Sequence, residues 1–200
     1  MRRLIHVPII HTGADMGSLL PAAKTEFLSR YTQREWQEHV ETIEQFWRNL
    51  RERIAGFGLD YARTYVYQDG LPVCGKELQI VTDLARRDSR NHELILWLVD
   101  QGATLVGTEA PKLLLEEYEL MRNVFAAAAQ EQEQAAGKAC QKQADDLLRR
   151  RDAYIRQRID ATLPDGGTGL LFIGIAHRVH EGLPEDLAVS CLPGGFPPDA

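Results

Sequence analysis

The sequence is short of most features that would place it in a specialised class. Its three cysteines, Cys74, Cys140 and Cys191, are odd in number, far apart and in no paired motif. They offer no disulfide framework and no CxxC redox or zinc pair, and they fit a reducing, cytoplasmic compartment. Positive charge is not in excess: 23 Lys and Arg face 29 Asp and Glu, a net charge of −6. An acidic chain gains little from releasing phosphate counterions, so nucleic-acid binding is not expected. No apolar run approaches the roughly 20 residues that span a bilayer, and a membrane partner is not expected either. Met1-Arg2-Arg3 precedes an apolar stretch, but that stretch holds His6, Pro8 and His11 and leads to no small-residue cleavage site, which argues against a signal peptide. A Gly-rich phosphate loop, HExxH and GxSxG are all missing, and Ser18, Ser89 and Ser190 stand on no recognisable nucleophile elbow.

What is present is ordinary for a globular chain: 44% hydrophobic and 26% charged residues. Residues 1–200 read as one domain, able to bury roughly 70% of the surface of its unfolded chain. Leu4 to Ile10 is an Ile/Val-rich run that reads as a buried strand, closing on the loop His11-Thr12-Gly13-Ala14-Asp15. Thr32-Gln33-Arg34-Glu35 is a capping box. Behind it Trp36, Val40, Ile43, Trp47, Leu50 and Ile54 step by three and four, one apolar stripe along a helix that Gly56 and Gly58 end. Thr64 to Tyr67 reads as a second strand, Lys76–Arg87 and Asn91–Gln101 as two helices, and Ala103 to Gly107 as a third strand.

Residues 112–163 look helical almost throughout, with an Ala/Gln-rich middle from 126 to 144 that has high helix propensity and a weak packing face. The segment is either a hairpin broken near Gly137 or one rod that makes a homodimer contact. Gly169 to Ile175 reads as a central strand. Pro184 to Leu192 reads as a last short helix, and 193–200 as a frayed tail. Strands alternating with helices predict an α/β fold: a small, mainly parallel sheet of about four strands, with a large helical share and helices on both faces.

Open parallel sheets bind ligands beyond the carboxyl ends of their strands. Here those ends are His11 with Asp15, Asp69, Glu109, and His177 with His180 nearby. Each has an ordinary reading: His11 as a turn residue, Asp69-Gly70 as turn chemistry, Glu109 as a charge at the start of the following helix. Together, two imidazoles and two or three carboxylates suit Zn, Mn or Fe, or equally a metal-free acid/base site. His6, inside the first strand, reads as a satisfied core or edge histidine. The basic run Arg149, Arg150, Arg151, Arg156, Arg158 reads as a solvated helix face paired with Asp145, Asp146 and Asp152, from which one arginine could turn inward to a ligand carboxylate or phosphate.

Three motifs, in this order, carry a family resemblance: Ile9-Ile10-His11-Thr12-Gly13, Val106-Gly107-Thr108-Glu109, and Arg151-Asp152-Ala153-Tyr154-Ile155 followed by Leu170-Leu171-Phe172-Ile173-Gly174-Ile175-Ala176-His177. The chain thereby resembles the superfamily of TraB/Tiki, erythromycin esterase-like and ChaN-like haem-binding proteins, with Tyr67-Gln68-Asp69-Gly70 in the place of another acidic strand end. Short motifs over about a third of the chain carry the likeness.

The resemblance and the strand ends together suggest a small hydrolase acting on an ester or peptide. His11, Glu109 and His177 would bind a divalent metal or activate water, Asp69 would assist, and Arg151 would stabilise negative charge or hold a substrate carboxylate. A non-catalytic module binding a small ligand or haem, and a helical interaction protein without a site, are the alternatives.

Overall fold

The computed structural model describes residues 1–9, 20–128 and 133–192, so the expectations placed on His11, Asp15 and residues 193–200 lie outside the described residues. In chain order the elements are β1 (Arg2–Ile9), α1 (Leu20–Arg30), α2 (Gln33–Ala55), β2 (Thr64–Gln68), α3 (Glu77–Ala85), α4 (Arg90–Asp100), β3 (Thr104–Val106), α5 (Pro111–Ala128), α6 (Glu133–Thr162), β4 (Thr168–Gly174) and β5 (Leu187–Cys191). All five strands run parallel in one sheet of order β3-β2-β4-β1-β5. The fold is α/β, as the alternation of elements predicts.

Period-2 alternation sends successive strand residues to opposite faces. Ile5, Val7 and Ile9 of β1, Val66 of β2 and Leu170 and Phe172 of β4 face α2, α3 and α4. Leu4, Tyr67, Leu171 and Ile173 face the other way, onto Ile155, Ile159 and Leu163 at the end of α6. The predicted capping box at Thr32 and Glu35 is formed, and Gly56 caps the other end of α2. Its stripe is buried only from Ile43 onward, through Trp47, Leu50 and Ile54. Val40 remains 38% exposed, and Trp36 packs edge-on against Phe27 of α1 instead of on the sheet.

One expectation changes, and one of two alternatives is selected. The segment from Pro184 to Leu192 is not a helix: Leu187–Cys191 forms a fifth strand beside β1, in register Arg2↔Leu187 to His6↔Cys191. The edge of β1 offers unpaired backbone groups, and satisfying them outweighs the helical tendency of a five-residue piece. Arg2 anchors the entry to β5 by donating from Nε and Nη2 to Asp186, at 2.9 Å each, while also bonding Asp160. The long helical region is two helices, not one rod. They pack through Leu113, Leu120 and Leu147, with Arg150 of α6 paired to Glu116 of α5. Gly137 lies inside α6 and does not mark the break.

Candidate functional site

Asp69 follows β2 directly, and its amide donates to the Phe172 carbonyl, which locks it to the end of β4. Gly70 then turns with φ +75°, and its N–H donates to Glu109 Oε1 at 2.8 Å. Thr108 and Glu109 both donate their amides to the Leu71 carbonyl, which draws the segment after β3 against the turn after β2. These local bonds bring two carboxylates from different strands together. At β4, Gly174 donates its N–H to Asp69 Oδ2 at 3.0 Å, and a Cβ at this position would lie 3.2 Å from that oxygen. Such a contact is tighter than side chains ordinarily make, which favours glycine here.

Arg151 projects into this cluster from α6. Its Nε and Nη2 donate to the two oxygens of Glu109, each at 2.6 Å, and Nη2 also donates to Asp69 Oδ1 at 2.7 Å. Nη1 donates to Glu117 of α5. Arg151 is 4% exposed and Glu109 is 0% exposed, so the pairs of Arg151 with Glu109 and Asp69 lie almost wholly out of water, while Glu117 stands at the exposed rim. Burial pushes the Glu109 carboxyl above its ordinary value, with Asp69 adding to the rise and Arg151 pulling the other way. Burial also opposes the Arg151 charge, but its carboxylate partners outweigh it and raise the pKa further.

Asp152, the next residue, points elsewhere because neighbours on a helix do not share a face. Its Oδ1 meets His177 Nδ1 at 2.5 Å, and its Oδ2 accepts the Arg178 N–H at 2.9 Å. The other ring nitrogen of His177, Nε2, lies 3.6 Å from Asp69 Oδ2. Burial works against a charge on His177, but the Asp152 hydrogen bond and the Asp69 charge outweigh it, with Arg151 opposing, and its pKa lies above the ordinary histidine value. The result is a continuous buried chain Asp152–His177–Asp69–Arg151–Glu109.

Of the residues singled out from sequence, Asp69, Glu109, Arg151 and His177 therefore meet in one cluster, and His11 lies outside the described residues. Two roles read differently in three dimensions. The carboxylate that orients His177 is Asp152, since both Glu109 oxygens are engaged by Arg151 and Gly70. Arg151 is engaged by three carboxylates, which leaves it poorly placed to hold a substrate.

Asp152 and Glu117 are the residues that sequence reasoning missed. The sequence carried a signal for the burial of Arg151 alone: Leu147, Arg151, Ile155, Ile159 and Leu163 recur at steps of four, which sets Arg151 on one stripe. His6 also differs from expectation. Its Nδ1 is 3.9 Å from Cys191 Sγ, but its buried Nε2 has no hydrogen-bond partner among the described residues. Burial, then His180 and His177, lower its pKa. His180 is exposed, as expected for a loop residue.

For a divalent metal, the two donors that face one another are His177 Nε2 and Asp69 Oδ2. Among the described residues no group of three or more His, Cys, Asp or Glu side chains is arranged to hold an ion. Also among them, no helix is long and apolar enough to cross a membrane. Comparison with family models, curated proteins and solved structures finds no match to this chain.

Proposed function

We propose that the chain is a small hydrolase of ester or peptide bonds, in which His177 activates water and Asp152 orients it. The observation that carries this reading is the buried His177 Nδ1–Asp152 Oδ1 contact at 2.5 Å, with the second ring nitrogen turned toward a further carboxylate. With Nδ1–H donated to Asp152, the lone pair of neutral His177 resides on Nε2. Nε2 takes a proton from water as the oxygen attacks the carbonyl carbon. The same proton is then delivered to the departing alkoxide or amine as the C–O or C–N bond breaks. Asp69 assists by accepting a hydrogen bond from the water's other O–H, which stays on the attacking oxygen, and Arg151 with Glu109 holds Asp69 in place. Because the His177 pKa is raised, the neutral base becomes available only as pH rises past the ordinary histidine range.

The resemblance to the TraB/Tiki, erythromycin esterase-like and ChaN-like superfamily, whose members include esterases, proteases and a haem binder, is compatible with a hydrolase at these strand ends but does not itself assign Asp152. A metal-dependent variant would keep His177 and His11 from the set expected from sequence, with Asp69 Oδ2 in place of Glu109, whose two oxygens Arg151 and Gly70 engage. Mass spectrometry of tag-free protein purified without chelator, beside His177→Gln, tests it: stoichiometric Zn, Mn or Fe that the substitution removes supports the metal form. Free Cys74, Cys140 and Cys191 suit a cytoplasmic setting. Self-association belongs to the same proposal, because α5 leaves the large apolar side chains Leu115, Tyr118, Met121 and Val124 exposed.

The deciding experiment assays a panel of activated carboxylic esters and short peptides with wild type, His177→Gln and Asp152→Asn, folding being checked by circular dichroism. The expected result is turnover that falls by about 10² or more in either variant. Wild-type turnover that both folded variants retain would sink the reading. No turnover on any substrate would favour the binding module instead.

A further inference from the structure

Asp152 also lines an open cleft of about 710 Å³, within the roughly 300–1,000 Å³ typical of small-ligand sites. Arg149, Asp152 and Arg156 of α6 form one wall, and Ala176, Arg178 and Glu181, from the connection between β4 and β5, form the other. Three guanidinium groups thus border one space. Arg149 pairs with Asp146 at 3.1 Å and Arg178 with Glu181 at 3.4 Å, both in exposed pairs that water and salt largely screen. Arg156 differs. It is half-buried and has no ion-pair or hydrogen-bond partner among the described residues.

The carboxylates of the cleft do not meet this need. Asp152 is held by His177 and the Arg178 amide, Glu181 by Arg178, and Asp145 by the Gln141 side-chain amide. A half-desolvated guanidinium without a partner is a fork of donors matched to an oxyanion, and two more cations with weak attachments can turn to the same ligand.

We propose that this cleft binds the anionic group, a carboxylate or a phosphate, of a small ligand, with Arg156 making the principal contact and Arg149 and Arg178 closing on it. If the hydrolase reading holds, the substrate class is an anion-bearing ester or peptide, seated against the carboxylate that positions His177. Only the identification of the ligand as substrate rests on that reading; the binding does not.

The test is titration of the full chain with inorganic phosphate and, separately, with acetate, followed by the arginine Nε–Hε signals in ¹H–¹⁵N NMR. The expected result is saturable binding that perturbs the Arg156 signal. Arg156→Gln should weaken it by about tenfold or more, while Arg34→Gln, on the exposed face of α2, leaves it unchanged. The tighter of the two probes names the anionic group. The double variant Arg149→Gln/Arg178→Gln changes only exposed side chains and should weaken binding too, which keeps the test decisive if Arg156→Gln fails to fold.

No saturable binding of either anion, or equal binding by wild type and both folded variants, overturns the proposal. His177→Gln separates the two readings, because it should lose hydrolysis and keep phosphate binding. Binding without any turnover would defeat the hydrolase reading alone, and turnover without anion binding would defeat the cleft alone.

Discussion

The two long helices that cover the sheet, α2 on one face and α6 on the other, solve the same packing problem with different residues. Where α2 meets the sheet it buries Ile43, Trp47, Leu50 and Ile54, and its charges stay at the surface. On α6 the equivalent stripe runs Leu147, Arg151, Ile155, Ile159, Leu163, so a guanidinium occupies a position built for an aliphatic side chain. Burying it is costly unless every donor finds an acceptor, and replacing such a group by an apolar one is often neutral or stabilising. A helix that needed only stability would have resembled α2 throughout. The charge on α6 is a place where a buried ion network replaces apolar packing, an arrangement common to functional sites and to structural ion pairs.

That comparison can be broken most forcefully at Arg151. Arg151→Gln leaves Glu109 and Asp69 buried without their counter-ion, and urea denaturation should report a loss of about 3–5 kcal/mol. Adding Glu109→Gln to Arg151→Gln should return part of that loss, because one uncompensated charge is removed. If the double variant is less stable than the single one, the cost lies in packing and not in charge. On the apolar side, Ile54→Ala should cost about 2–5 kcal/mol without altering the pH dependence of stability.

The pH dependence itself distinguishes the two faces. His177 has a raised pKa, so its contribution to stability is complete below the ordinary histidine value and is lost as pH rises through the elevated folded value. Catalysis by the neutral imidazole should run the opposite way and increase over the same window. Asp152→Asn removes the hydrogen-bonding charge, should flatten the stability change, and should move the rising limb of the pH–rate profile to lower pH. A limb that stays in place would show that Asp152 does not position His177. The smallest effect is expected at the exposed start of α2, where Thr32→Ala removes the cap and should cost about 1 kcal/mol by thermal or urea melting.

Much of this was legible in the chain. The capping box at Thr32, the stripe of α2 and the apolar runs of β1, β2 and β4 are local patterns whose period states the element and its buried face. The cluster was partly legible, because Asp69, Glu109 and His177 stand after strands and parallel strands present the same end to one edge. Asp152 was not, since beside Arg149, Arg150 and Arg151 it reads as a surface charge until the register of α6 against β4 is known. The fifth strand was hidden for a similar reason: Leu187–Cys191 has little intrinsic preference, and only the open edge of β1 makes it a strand.

By itself the sequence determined β1 to β4 and α2 to α6, though neither α1 nor β5, and that strands and helices alternate into a parallel sheet, because side-chain periodicity and capping act over a few residues. Only the tertiary structure decided that β4 inserts between β2 and β1, which carries Asp69 and His177 to within 3.6 Å of each other. It alone decided that Arg151 turns to Glu109 and Asp152 to His177. Those choices depend on strand order and on which buried charges can satisfy one another across the fold, and no local run of residues encodes either.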